Sequence, residues 1–68
     1  MTFNELAWFT KGANFPAAAV NADGENVIIR MGEDCGEKFF EVTTAQHNGW
    51  TRINYIWEDG TREEMFKK

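Results

Sequence analysis

The chain contains no serine, and it has a single histidine and a single cysteine. The missing serine removes serine nucleophiles altogether. One Cys and one His do not make a closed zinc site, which needs four ligands. A lone cysteine forms no internal disulfide, and one free thiol suits a reducing compartment. Cys35 is followed and preceded by acids, with Glu33, Asp34, Glu37 and Glu41 close by in sequence. Neighbouring negative charge raises a thiol pKa, so a reactive thiolate partnered by His47 is not expected. The glycines are isolated at turn positions and make no phosphate-cradling motif. The acidic turns Asp23-Gly24-Glu25, Glu33-Asp34 and Glu58-Asp59-Gly60 lack the spacing of a calcium loop. No apolar run approaches the roughly 20 residues that cross a bilayer. Thr2-Phe3-Asn4-Glu5 carries an acid and no basic segment, which does not read as a signal peptide. These absences lead to the expectation of a soluble, cytoplasmic protein that is not an enzyme, with no catalytic residue, cofactor or metal.

What is present is hydrophobic and aromatic. Of 68 residues, 43% are hydrophobic and 15% aromatic. That is expected to make one domain over residues 1–68, near the lower size limit for folding on a core alone. The strongest local signal is Asn48-Gly49 between two alternating β-branched and aromatic runs. A type I′ hairpin turn needs two residues at positive φ, and this dipeptide supplies them. A two-residue turn dictates the register: His47 opposite Trp50, Ala45 opposite Arg52, Thr43 opposite Asn54, Glu41 opposite Ile56, Val42 opposite Tyr55, Phe40 opposite Trp57.

The rest of the chain is punctuated in the same way. Thr2 and Glu5 form a capping box for a short helix, with Met1 and Leu6 placed as a hydrophobic staple and Gly12 beyond its end. Phe3, Leu6, Ala7 and Thr10 share one helical face with Phe9 on its flank, and Trp8 points away. Pro16 ends helical structure. Strands are predicted over 17–20, 26–31, 38–47, 50–57 and 61–66, separated by turns at 21–24, 32–37, 48–49 and 58–60. For the last turn a three-residue form with Gly60 in a bulge is preferred, which puts Met65 on the Trp57 face. The fold class is α+β: a short N-terminal helix packed on a five-stranded antiparallel β-meander.

On the predicted register, the core face carries Phe40, Val42, Ile53, Tyr55 and Trp57, covered by Phe3, Leu6 and Phe9. The outer face carries Phe39, Glu41, Thr43, Ala45 and His47 opposite Trp50, Arg52, Asn54 and Ile56, a half-solvated mixture. Phe39, Trp50 and Ile56, with Arg52 beside them, are the candidate protein-binding patch. Trp8 is a second candidate anchor.

The formal net charge is −4. That opposes a non-specific grip on nucleic acid and favours a partner with a basic surface. Glu33, Asp34, Glu37, Glu58, Asp59, Glu63 and Glu64 are the acids available to it. In size and charge the chain resembles many phage-encoded inhibitors, anti-CRISPR proteins among them. That resemblance implies a non-enzymatic inhibitor of a host nucleic-acid-handling or defence protein, acting in the host-cell cytoplasm by placing carboxylates where phosphates would lie. Two other readings are a self-associating module, a homodimer pairing through the edge strand 17–20 or 61–66, and a single-stranded nucleic-acid binder stacking bases on Phe39 and Trp50 beside Arg52.

Overall fold

The computed structural model describes residues 2–44 and 48–68. Helix α1 spans Phe3–Phe9. Five strands follow: β1 (Ala17–Val20), β2 (Asn26–Asp34), β3 (Glu37–Thr44), β4 (Thr51–Trp57) and β5 (Arg62–Lys67). They form one antiparallel sheet in sequence order, β1-β2-β3-β4-β5. The architecture is the expected α+β meander.

Local chemistry explains each end and each turn. The Thr2 hydroxyl accepts the Glu5 N–H and donates to the Glu5 carboxylate at 3.0 Å, which closes the capping box. At the other end the buried Thr10 hydroxyl donates to the Leu6 carbonyl at 2.7 Å. The Asn21 side-chain oxygen accepts from the N–H groups of Asp23 and Glu25, holding the β1–β2 turn. In the β4–β5 turn Gly60 has φ +94°, and Trp57 and Thr61 close a three-residue loop. Met65 therefore pairs with Ile53, on the same side of the sheet as Trp57, as the Gly60 bulge predicts.

Two turns differ from expectation. The 32–37 segment is not one broad turn. Cys35 and Gly36 alone make it, at φ 53° and 80°, and Asp34 pairs with Glu37. Two consecutive positive-φ residues are the type I′ requirement, and β2 gains length through Asp34. Asn48 and Gly49 also both have positive φ. Yet the β3–β4 ladder is one residue out of step with a two-residue turn: Phe39 faces Trp57, Phe40 faces Ile56, Val42 faces Asn54 and Thr43 faces Ile53. The expected pairings of His47 with Trp50 and Ala45 with Arg52, and the Met1 staple, lie outside the described residues.

That one-residue slip exchanges the faces of β4. The core cluster contains Leu6, Val27, Ile29, Phe40, Val42 and Ile56, with Phe3, Ala17 and Ala19 packed against it. Ile56 is 3% exposed and takes the place assigned to Trp57. Tyr55 and Trp57 stand half-buried on the opposite face. Ile53 is buried, but between Thr43 and Met65 on that opposite face and outside the main cluster. The seven-residue helix covers a narrow strip, with the Phe3 and Phe40 rings 4.8 Å apart and Phe15 6.3 Å from Phe40. Wholly apolar Ile56 joins this cluster, whereas Tyr55 and Trp57 carry polar tips that favour a half-wet surface. The helix docks through Leu6, Thr10 and Phe3 only: Phe9, expected in the core, is 59% exposed, and Ala7 is exposed too.

Candidate functional site

The face of the sheet away from α1 has no covering element among the described residues. In its middle Phe39, Tyr55 and Trp57 form an aromatic cluster. The Phe39 ring lies 4.6 Å from that of Trp57 and 5.8 Å, edge-on, from that of Tyr55. Phe39 also lies across Gly32, its partner on β2, where only the absent side chain leaves room for the ring.

Beside this cluster the ends of two hairpins, β2–β3 and β4–β5, converge. Asp34, Cys35, Glu37, Trp57, Asp59, Thr61 and Glu63 line an open concavity of about 190 Å³. Trp57 supplies its aromatic wall and four carboxylates its rim. The Glu37 carboxyl is held above its ordinary range, first because partial burial strips water from it, then through its hydrogen bond with Asp59 and the charges of Asp59, Glu58 and Asp34. Asp59 is held below its ordinary range by hydrogen bonds from Thr61, whose N–H donates to Oδ1 at 2.8 Å. A carboxyl whose charge is disfavoured by desolvation and by neighbouring carboxylates marks a place where a cation would relieve repulsion.

The site residues expected from sequence divide accordingly. Phe39, Asp59 and Glu63 belong to this face and its acidic end. Glu58 is exposed in the adjoining turn, its N–H donating to the Lys38 carbonyl at 3.1 Å. Ile56 is buried in the core and has no place in an exposed patch. Arg52 is on the helix side of the sheet, where its Nη2 meets the Glu25 carboxylate at 3.5 Å. Glu64 is on that side too, and with Arg52, Asn54 and Arg62 it edges a shallow polar groove. Trp50 lies at the far end of β4, seven positions from Trp57, or roughly 23 Å along a strand. The stacking platform of Phe39, Trp50 and Arg52 is therefore not assembled. Trp8 is 78% exposed on α1, far from the acidic end in the strand order.

Sequence reasoning missed Tyr55 and Trp57, which it placed in the core. The signal that bears on them is the Cys35-Gly36 doublet. A two-residue turn there sets Gly32 opposite Phe39, and a bare glycine in a paired strand invites an aromatic ring to cover it. Trp8 lies under Lys11 Nζ at 5.8 Å and Trp50 under Lys68 Nζ at 5.4 Å. Among the described residues Trp57 carries no such cation, and it is the tryptophan ringed by carboxylates. Cys35 is exposed and free, and its thiol lies 3.7 Å from Asp34 Oδ1. No group of three or more metal-ligating side chains occurs among the described residues. Among the described residues no helix is long and apolar enough to cross a membrane.

No family model matches this chain, and neither a curated protein nor a solved structure matches it. The fold and this site's geometry are thus the ground on which function is argued.

Proposed function

We propose that this protein is a non-enzymatic binding module that engages a basic surface of another protein, with Trp57 and its carboxylate rim as the receptor for a lysine or arginine of that partner. The observation that carries this reading is the convergence of Asp34, Glu37, Asp59 and Glu63 on a tryptophan that, among the described residues, has no lysine over its ring. A cation over an indole gains about 0.5–1 kcal/mol at an exposed site and about 2 kcal/mol when water is excluded. Charge-assisted hydrogen bonds to carboxylates add to it and orient a guanidinium. Phe39 and Tyr55 extend the contact as an apolar shelf.

The partner class that this chemistry fits is a nucleic-acid-handling protein, whose binding groove presents Lys and Arg to phosphates. Carboxylates set into such a groove occupy phosphate positions, and the module then acts as an inhibitor. The small size, the net charge of −4 and the likeness in both to phage-encoded inhibitors such as anti-CRISPR proteins support this fuller reading. It places the protein in the cytoplasm of the cell that holds its target.

The test is a titration of isotope-labelled protein with a short arginine-rich peptide, followed through the tryptophan indole N–H resonances. The Trp57 indole is expected to shift, with affinity falling as salt rises, and Glu63→Lys with Asp59→Lys is expected to abolish the shift. Binding that leaves Trp57 unmoved, or that survives the double reversal, overturns the reading.

A further inference from the structure

The two edges of the sheet are unlike. β5 is Arg62-Glu63-Glu64-Met65-Phe66-Lys67, and its charges discourage pairing with another chain. β1 is Ala17-Ala18-Ala19-Val20, and no charged residue occurs from Ala13 to Ala22. The Asn21 N–H donates to the Glu25 carbonyl at 2.9 Å. Alternation along an antiparallel ladder then makes Ala19–Val27 and Ala17–Ile29 the hydrogen-bonded pairs, so Ala18 and Val20 direct their N–H and C=O groups to the free edge.

Next to this edge is an apolar groove of about 480 Å³, between α1 and β1. Leu6, Trp8, Phe9, Ala19, Val20 and Ile29 contribute to it. Trp8 is 78%, Phe9 59% and Val20 65% exposed. Against these stand only seven buried hydrophobic side chains in the core, among the described residues. A domain of this size commonly gains the stability that its core lacks by association.

We propose that β1 is a dimerisation edge, and that its occupant is the β1 of a second copy of this chain. Antiparallel pairing about a two-fold axis through Ala19 sets Ala18 opposite the partner's Val20 and Val20 opposite the partner's Ala18. Both are the residues whose backbone groups point outward, so each satisfies the other and the contact closes on itself. The axis is perpendicular to the sheet, so both helices lie on one side. The two apolar grooves meet over the join, with Trp8 and Phe9 of each copy as their walls. Alanine at the centre lets the strands approach without obstruction. Glu5 also lines the groove and Asp23 and Glu25 lie in the β1–β2 turn, but the densest run of acids is remote from the join. Glu58, Asp59, Glu63 and Glu64 belong to the far edge, four strand spacings or roughly 19 Å away, beyond the screening length of about 8 Å at physiological salt.

The experiment is sedimentation of the full chain over a concentration series, with Val20→Lys and Ala18→Pro as variants. Val20→Lys plants a charge at the join, and Ala18→Pro deletes an outward N–H that the intact sheet does not use. The wild type is expected to rise to twice the monomer mass with concentration. Each variant is expected to weaken association at least tenfold while keeping the wild-type circular dichroism. In mixed labelled and unlabelled protein, a cross-copy contact between Ala19 α-protons is expected, since such a non-hydrogen-bonded pair brings Cα atoms to about 4.5 Å. A wild type that stays monomeric overturns the proposal. A dimer that persists in the folded Val20→Lys protein, or that lacks the Ala19 contact, overturns it too, because association then uses another surface.

Discussion

The ring of Phe39 occupies the space over Gly32, its partner on the neighbouring strand, and a β-carbon at Gly32 would fall 2.8 Å from Phe39 Cε1. The glycine therefore determines where the ring lies, and the ring in turn packs against Trp57 and Tyr55. One hydrogen in place of a side chain thus shapes the aromatic shelf on the outer face.

Gly32→Ala is expected to push Phe39 off this seat, lowering stability by about 1–3 kcal/mol as overpacking does and changing the Trp57 environment. Thermal melting together with tryptophan fluorescence checks both effects. An alanine variant of unchanged stability and spectrum would show that the ring moves aside freely.

The exchange of faces on β4 puts Ile56 in the core and leaves Trp50, at the other end of the strand, half-exposed. Ile56→Ala removes a fully enclosed core side chain and is expected to cost about 2–5 kcal/mol. Trp50→Ala, at a position 43% exposed, is expected to cost far less than the core-aromatic figure of about 3–5 kcal/mol. Urea unfolding of Ile56→Ala, with Trp50→Ala as the exposed reference, decides between this register and the one a two-residue Asn48-Gly49 turn would impose.

Glu37 and Asp59 give opposite pH signatures. The folded-state pKa of Glu37 is raised above its ordinary 4.5, so the folded protein holds the proton more tightly than the unfolded chain, and stability falls as pH rises from 4.5 through the raised value. The folded-state pKa of Asp59 is lowered below its ordinary 3.8, so its contribution is present above 3.8 and lost as pH falls through the lowered value. Glu37→Gln is expected to be more stable than wild type at pH 7 and to converge with it in acid. Asp59→Asn is expected to be less stable at pH 7 and also to converge in acid. Melting temperatures across pH 2–8 for the three proteins measure this.

Cys35 holds φ 53° as the first residue of its turn. Left-handed backbone costs an ordinary side chain of the order of 1 kcal/mol and asparagine less. Cys35→Asn is expected to raise stability by a few tenths to about 1 kcal/mol in a denaturant titration, with no effect on the aromatic cluster.

How much of this was legible in the sequence follows the range of each interaction. The capping box at Thr2 and Glu5, the Asn21 turn, the Gly60 bulge and the order of the strands all rest on contacts within a few residues, and each reads directly from residue type. Even the positive φ of Asn48 and Gly49 was foreseeable. The β3–β4 register was not, because the pairing of Phe39 with Trp57 and of Phe40 with Ile56 is settled between strands and not by the turn residues alone. It buries Ile56 and turns Tyr55 and Trp57 outward. The expected patch of Phe39, Trp50, Arg52 and Ile56 dissolved for that reason, and Trp57 with its carboxylates took its place.

The sequence by itself determined that a helix and five strands form and in what order they meet, since turn and cap chemistry are local. Only the tertiary structure decided which face of β4 is buried and which side chains share the exposed surface. A strand repeats every two residues, so a one-residue shift costs little in local preference but reverses every side chain, and packing against the rest of the fold alone makes that choice.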